Sequence, residues 1–243
     1  MKETALWPTT SLVASFALML GCTGDAAPPE TGAEHSPGEW QALFNGRDLE
    51  GWHSYGETTV NPGWIVEDGA IVLDVADDTT EMTGGDLITN EQYENFELEL
   101  EWKLTEGGNS GVFFGVQEIP EHEVAYETGI EMQVLDDDVH QDGKVAETSA
   151  GSCYALYAPV GKELRPVGEY NKVRLVVRDR HVEHWLNGKK VVEYVIGSDD
   201  WQERVAKSKF ADWEHFARYE EGHIGLQDHS DRVWFRNIRI REL

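Results

Sequence analysis

The sequence predicts an all-β fold, an antiparallel β-sandwich with a short helical insertion near residues 200–219. Three observations favour this fold class. Short segments with β-strand alternation recur along the chain, Asp-Gly and Asn-Gly pairs separate some of them, and neither a composition break nor an internal repeat divides residues 39–243. A chain of 243 residues is long enough to bury a sizeable core in one large domain.

The predicted strands are short and frequent. Asp68-Gly69 and Asn187-Gly188 each lie between two apolar runs, where glycine supplies the positive φ that a tight hairpin turn requires. The strands are expected within residues 64–75, 93–104, 112–117, 129–136, 171–179, 181–188, 189–196 and 232–242.

The helical insertion is predicted from apolar spacing. Trp201, Val205, Trp213 and Phe216 recur at near-helical intervals between residues 200 and 219. We expect this segment to cross the sandwich and to serve packing.

The first 21 residues are predicted to be a signal peptide, because Lys2 precedes an apolar run at residues 11–20 that is too short to span a bilayer. Gly21 and Cys22 end that run in a pattern that resembles a bacterial lipobox. We expect lipidation at Cys22, with ordinary cleavage or a simple membrane anchor as the alternatives. Residues 22–38 predict a flexible tether, so the protein is expected to be exported, as a periplasmic or outer-membrane lipoprotein.

Charge and cysteine content narrow the function classes. The 46 acidic and 20 basic residues give a formal net charge of −26, which opposes binding to nucleic acid or to anionic lipid headgroups. If lipid occupies Cys22, Cys153 is the remaining cysteine, and no intramolecular disulfide forms. Since aromatic and aliphatic residues flank Cys153, we interpret it as a small buried packing residue.

Carboxylates on the strand ELELEW offer one candidate site. Glu97, Glu99 and Glu101 alternate with apolar residues and therefore share one strand face. Retaining glycosidases use two carboxylates about 5 Å apart, and carboxylates at alternate positions of one strand are compatible with such a pair. A solvated outer face produces the same alternation and is the favoured interpretation.

The segment GIEMQVLDD offers a second candidate site. Glu131 and Gln133 share one face, opposite the apolar side chains of the same strand. Asp136 and His140 follow within a run that also contains Asp142, so the segment offers ligands for a divalent metal ion. Its spacing matches no calcium-loop template, and a solvated acidic loop explains it equally well.

Further polar residues lie at strand ends and between glycines. Asn109 stands between two glycines in GNSG, which either brings short polar groups close to a ligand or simply turns the chain. Gln227 and His229 share a face across Asp228 at the end of an apolar strand, where they either face a cleft or form a turn. His184 lies on a strand face with apolar neighbours, and a structural histidine is the favoured interpretation, with a functional one as the alternative.

Several motifs occur in the order that characterises a known family: FNGRDLEGW, GIEMQVLDD with His140, EHWLNG, and GHIGLQDHS with FRNI. They resemble the 3-keto-disaccharide hydrolase domain family over nearly all of residues 39–243. The resemblance implies a concanavalin A-like jelly-roll sandwich. Gly115 departs from the pattern, because the family often has arginine there, and any substrate contact from that position is therefore in doubt.

The resemblance also implies a reaction and its partners. A ketone at C3 of a glycoside acidifies the C2 proton, so that a general base can form an enolate and the C1 substituent can leave. The substrate would be a small oxidised sugar or glycoside, supplied by a sugar 3-oxidoreductase. Hydration of the eliminated product is left open.

For this chemistry we assign His229 or Glu131 as the base. Glu131 and Gln133, with Asp136 and His140, would bind the carbonyl oxygen or a divalent metal ion. The remaining predicted substrate-binding residues are Asn109, Arg236, Gln227, Asp228 and His184.

Two other functions are compatible with a β-sandwich. A carbohydrate-binding module or lectin would use exposed aromatic side chains, for which Trp52, Trp64 and Trp185 are the candidates. A conventional β-glucanase would need a pair of inward-facing carboxylates among Glu97, Glu99 and Glu101.

Overall fold

The computed structural model describes residues 38–75 and 84–243. The predicted signal peptide, the predicted lipidation site Cys22 and nearly all of the predicted tether lie outside these residues. Within the described ranges, no helix is both long and apolar enough to cross a membrane.

Two antiparallel sheets form a sandwich, as predicted. The elements are β1 Gln41–Ala42, β2 Trp52–Ser54, β3 Trp64–Glu67, β4 Ala70–Leu73, β5 Leu87–Tyr93, β6 Phe96–Leu104, β7 Asn109–Val116, β8 Ile130–Leu135, β9 Asn171–Arg178, β10 His181–Leu186, β11 Lys189–Val195, α1 Asp199–Lys207, β12 Gly222–Leu226 and β13 Val233–Glu242. The first sheet runs in the order β11-β10-β9-β6-β13-β4-β3, with β1 paired to β13, and the second runs β2-β5-β12-β7-β8.

The core lies between the sheets, and strand alternation decides which side chains enter it. In β8, Ile130, Met132 and Val134 point into the core, and all three are almost completely buried. Glu131 and Gln133 must therefore lie on the outer face of the second sheet. In β12, Ile224 and Leu226 enter the same core, which leaves the neighbouring residues of that strand to the outer face.

Both predicted glycine hairpins are confirmed. Asp68-Gly69 joins β3 to β4 and Asn187-Gly188 joins β10 to β11, with all four residues at positive φ. A third hairpin, between β9 and β10, places Asp179 and Arg180 at φ values of 49° and 65° without a glycine. Its sequence therefore lacks the signal that revealed the other two.

The helical insertion is shorter than predicted. Ser198 caps α1 by accepting the backbone N–H of Trp201, and the helix ends at Lys207. Residues 208–219 continue as turns. The predicted packing role is confirmed for Trp201 and Phe216, whose rings stack 6.2 Å apart, and Trp201 also stacks on Tyr194.

Candidate functional site

A pocket of about 200 Å³ opens on the outer face of the second sheet. Strands β7 and β8 supply part of its lining, and four loops supply the rest. The lining residues are Asn109, Tyr126, Glu131, Gln133, Tyr154, Lys209, Gln227 and His229. Five of these eight are candidates from the sequence, and the structure therefore brings together polar groups that lie up to 120 residues apart.

Glu131 lies in this pocket as a buried carboxyl group. The residue is 9% exposed, and no donor among the described residues forms a hydrogen bond with its carboxylate. Burial raises the pKa of Glu131 to about 8, an effect that attraction to Lys209 opposes and repulsion from Asp86 and Asp142 reinforces. A carboxyl group with such a pKa can exchange a proton near neutral pH.

Gly111 makes room for the Glu131 side chain. The two residues lie on paired strands, and a Cβ atom on Gly111 would lie 2.5 Å from Oε1 of Glu131. Gly111 does not have a positive φ, so the space and not the backbone conformation requires glycine here. The sequence places Gly111 inside the NSG motif, but its contact is visible only in the folded sheet.

Two buried amide oxygens lack protein partners at the pocket. Oδ1 of Asn109 and Oε1 of Gln227 accept no hydrogen bond from any described residue, and the two side chains are only 3% and 7% exposed. Such oxygens are costly to bury unless a donor reaches them. Gln133 differs, because its amide donates to the carbonyl of Thr148 and accepts the backbone N–H of Val134.

Tyrosine and lysine side chains from loops cover the pocket. The hydroxyl of Tyr154 donates to Asp142 over 3.3 Å, and burial together with the charges of Asp142 and Glu131 raises the pKa of Tyr154 to about 12. Tyr154 therefore remains a hydrogen-bond donor. The ammonium of Lys209 lies 4.4 Å from the centre of the Tyr154 ring. The ring of Tyr126 packs against that of Trp213 at 5.7 Å.

His229 lies at the exposed rim of the pocket. Its ring is 6.4 Å from that of His140, in an edge-on arrangement. The rim position leaves His229 accessible to solvent, whereas Glu131 is enclosed. Both candidate bases thus line one pocket, at different depths.

Asp228 has a structural position instead of the predicted substrate contact. The residue is 2% exposed, and its carboxylate accepts the backbone N–H groups of Gly84, Gly85 and Ser230. Its own backbone N–H donates to Asp86, which also accepts the N–H of Ala125. Asp86, which the sequence analysis missed, thereby joins the two segments that carry Tyr126 and Gln227.

The predicted metal ligands do not form a cluster. The carboxylate of Asp136 accepts the backbone N–H groups of Gly107 and Asp138, and Nδ1 of His140 accepts that of Asp142. Among the described residues, the metal-like grouping is His181, Glu183 and Glu193, and Lys190 already binds both of those carboxylates. Backbone N–H groups thus occupy part of the donor set at Asp136 and His140, and a metal ion there stays a prediction.

Arg236 and His184 lie away from the pocket, which corrects their predicted substrate contacts. Arg236 is on the outer face of the first sheet, where it binds Glu101 at 2.7 Å and lies over the ring of Tyr170. His184 is fully buried between the carbonyl of Gly151 and the hydroxyl of Tyr194. Burial lowers the pKa of His184 to about 4, so it is a neutral structural histidine.

The carboxylates of ELELEW form ion pairs across the first sheet. Glu97 binds Arg174 and Arg241 on the neighbouring strands, and Glu99 binds Arg239. Glu101 binds Arg236, as described above. Their role is cross-strand pairing, which does not support the glucanase alternative.

The tryptophans proposed as sugar platforms are not free for stacking. Trp52 and Trp64 are 4% and 3% exposed, and their indole N–H groups donate to the carbonyls of Leu43 and Gly85. The ring of Trp185 lies under Arg174. Cys153 is buried and unpaired, as its sequence context predicts.

Comparison with known proteins agrees with the fold. Residues 39–241 match the family described as the 3-keto-alpha-glucoside-1,2-lyase-like domain. A 3-keto-disaccharide hydrolase from Bacteroides thetaiotaomicron is 36% identical over 224 residues, which cover 83% of this chain and 77% of the relative.

Solved structures extend the comparison. A protein described as a glycosyl hydrolase from Parabacteroides distasonis is 35% identical, with a TM-score of 0.75 over 84% of this chain and 94% of its own. A Bacillus subtilis protein with a galectin-like fold, at 11% identity, has a TM-score of 0.54 over 85% of this chain and 96% of its own, and shows the fold alone. The chain is therefore a carbohydrate hydrolase that belongs to the 3-keto-alpha-glucoside-1,2-lyase-like domain family.

Proposed function

We propose that this protein cleaves the glycosidic bond of 3-keto-glucosides by elimination, with Glu131 as the general base. The observation that carries the proposal is the Glu131 carboxylate, which is enclosed in the pocket, has no hydrogen-bond donor among the described residues and has a pKa raised to about 8. A base with a pKa near neutrality combines a usable ionised fraction with strong proton affinity.

The reaction proceeds in two steps. Glu131 takes the C2 proton, and the electron pair of the C2–H bond forms the enolate with its negative charge on the C3 oxygen. The enolate then collapses to restore the C3 carbonyl and to form the C1–C2 double bond, while the C1–O bond breaks and the leaving oxygen takes up a proton. Addition of water across the new double bond would make the net reaction a hydrolysis.

Glu131 is the stronger of the two candidate bases because of its depth. Burial shields the carboxylate of Glu131 from solvent water that would compete for hydrogen bonding and proton exchange. His229, in contrast, lies at the rim. The rim position of His229 suits it to the leaving oxygen or to the water that adds in the second stage. This division assigns one role to each of the two residues.

The partnerless amide oxygens are suited to sugar hydroxyls. Oδ1 of Asn109 and Oε1 of Gln227 are acceptors, and a sugar hydroxyl that donates to either would remove the cost of its isolation. The ammonium group of Lys209 supplies a donor at the same pocket. A ring with hydroxyl groups can therefore be held by both kinds of contact.

The reaction and the N-terminal sequence together define the expected cellular context. The substrate must be supplied by an oxidoreductase that converts the C3 hydroxyl group of a glycoside to a ketone. We also propose that the protein is exported, because of its N-terminal apolar run and Cys22.

The test compares a 3-keto-glucoside with its unoxidised parent. We expect release of the aglycone from the keto sugar alone, and exchange of the C2 proton with deuterium when the reaction is run in D₂O. Glu131→Gln should abolish both, while His229→Ala should slow release more than exchange. Parallel reactions with EDTA report on a divalent metal. Cleavage of the parent sugar, or full turnover by Glu131→Gln, would refute the proposal.

A further inference from the structure

We propose that Lys209 is a catalytic residue, whose ammonium group donates a hydrogen bond to the C3 oxygen of the substrate and stabilises the enolate. This inference rests on the proposed function and adds to it the cation that balances the negative charge of the enolate. Lys209 lies on the segment that follows α1, which the sequence assigns only to packing.

Aromatic rings hold the ammonium of Lys209 at the pocket. Its Nζ atom lies 4.4 Å from the ring centre of Tyr154, 5.2 Å from that of Phe210, 5.8 Å from that of Trp213 and 5.9 Å from that of Tyr126. Ring faces attract a cation without neutralising its charge. The contacts therefore fix the position of the ammonium and leave its N–H groups available.

The charge of Lys209 is not used in an ion pair. No carboxylate of the described residues lies within 4.0 Å of its Nζ, although the chain has 46 acidic residues. Other lysines near the sandwich are paired, such as Lys162 with Asp137 at 2.6 Å and Lys190 with Glu193 at 2.6 Å. Lys209 is also the one lysine or arginine among the eight described residues that line the pocket.

Lys209 and Glu131 influence each other across the pocket. Attraction to Lys209 lowers the pKa of Glu131, and burial lowers the pKa of Lys209 against the attraction of Glu131 and Asp142. When Glu131 takes the C2 proton, its negative charge disappears and an equal charge develops on the C3 oxygen. The positive charge of Lys209 is then paired with the substrate, and the net charge of the pocket does not change.

The experiment uses Lys209→Met and Lys209→Arg in the full chain, with the 3-keto-glucoside as the probe. Lys207→Met is the matched control, because Lys207 lies two residues away and pairs with Glu203 at the surface. Loss of a donor to an oxyanion costs roughly 10²- to 10³-fold in kcat. We expect that loss in Lys209→Met with little change in KM, partial recovery in Lys209→Arg and wild-type kcat in Lys207→Met.

The pH profile separates a catalytic from a structural role. Removal of the cation raises the pKa of Glu131, so the acid limb of kcat/KM should move to higher pH in Lys209→Met and stay in place in Lys207→Met. If Lys209→Met unfolds, Lys209→Gln is measured in its place. Failure of the wild-type protein to act on the keto sugar would refute the proposed function. An active wild type with kcat within twofold in Lys209→Met, and an unmoved acid limb, would refute the role of Lys209 alone.

Discussion

Replacement of Glu131 with glutamine is expected to abolish turnover and to stabilise the protein at neutral and alkaline pH. Glu131 is buried without a hydrogen-bond donor among the residues that the structure describes, so its charged form is destabilised by the fold. Glutamine has nearly the same shape and no charge. The variant therefore removes the cost of ionisation and keeps the packing against Gly111.

The size of the expected stabilisation follows from the pKa of Glu131. The pKa rises from 4.5 to about 8 on folding, and each unit corresponds to about 1.4 kcal/mol. The ionised carboxylate thus costs on the order of 4 kcal/mol at pH 8, as an upper bound. Because the pKa is raised in the folded state, the stability of the wild type is full below pH 4.5 and declines as pH rises through about 8.

The assay is urea or thermal unfolding of wild type and Glu131→Gln between pH 4 and pH 9. The two proteins should have the same free energy of unfolding at the acid end. As the pH rises, the free energy of unfolding of the variant should exceed that of the wild type by a growing amount. For a domain of about 200 residues, each kcal/mol corresponds to roughly 2–4 °C in Tm.

Glu99→Gln is the matched control with the opposite sign. Burial alone would raise the pKa of Glu99, but the hydrogen bond from Arg239 and the charges of Lys172 and Arg239 lower it below the usual value. Glu99 therefore contributes stability above its unfolded pKa, which is lost as pH falls through the lower folded value, so Glu99→Gln should weaken the protein at neutral pH. Equal stability of Glu131→Gln and wild type across the whole range would refute the reasoning about Glu131.

Three further substitutions test the site. Gly111→Ala should lower kcat, because the added Cβ displaces the Glu131 carboxylate, and combining it with Glu131→Asp, whose side chain is shorter, should restore part of the kcat. Gly225→Ala is the steric control, because it adds a Cβ beside Phe113 on the adjacent strand. Asp86→Asn should shift the acid limb of the pH–rate profile to lower pH, because repulsion from Asp86 raises the pKa of Glu131 and the substitution removes that charge. Arg236→Ala should leave kcat/KM unchanged in the aglycone assay and cost about 1 kcal/mol or less in urea unfolding, because its ion pair lies on the outer face of the first sheet; a loss of activity would contradict that placement.

The strands could be predicted from the sequence where apolar and polar residues alternate regularly. The strand β6 alternates glutamate with leucine, and its apolar side chains fill the core as predicted. The strand β5 was missed, because its exposed residues Asn90 and Glu91 stand next to each other and interrupt the period of two. Edge and bulged segments of this kind are identified by their partners, which only the sheet provides.

The all-β fold, its two glycine hairpins and the outward-facing polar residues of β8 could be predicted from the sequence alone. Local alternation is enough for these features, because each strand assigns its own side chains to two faces. Long-range contacts determine which polar residues meet. The fold places Glu131 beside Lys209 and Tyr154, which come from separate loops, and it places Arg236 on the other sheet. Loop positions and strand neighbours follow from long-range pairing and packing, which leave no periodic pattern in the local sequence.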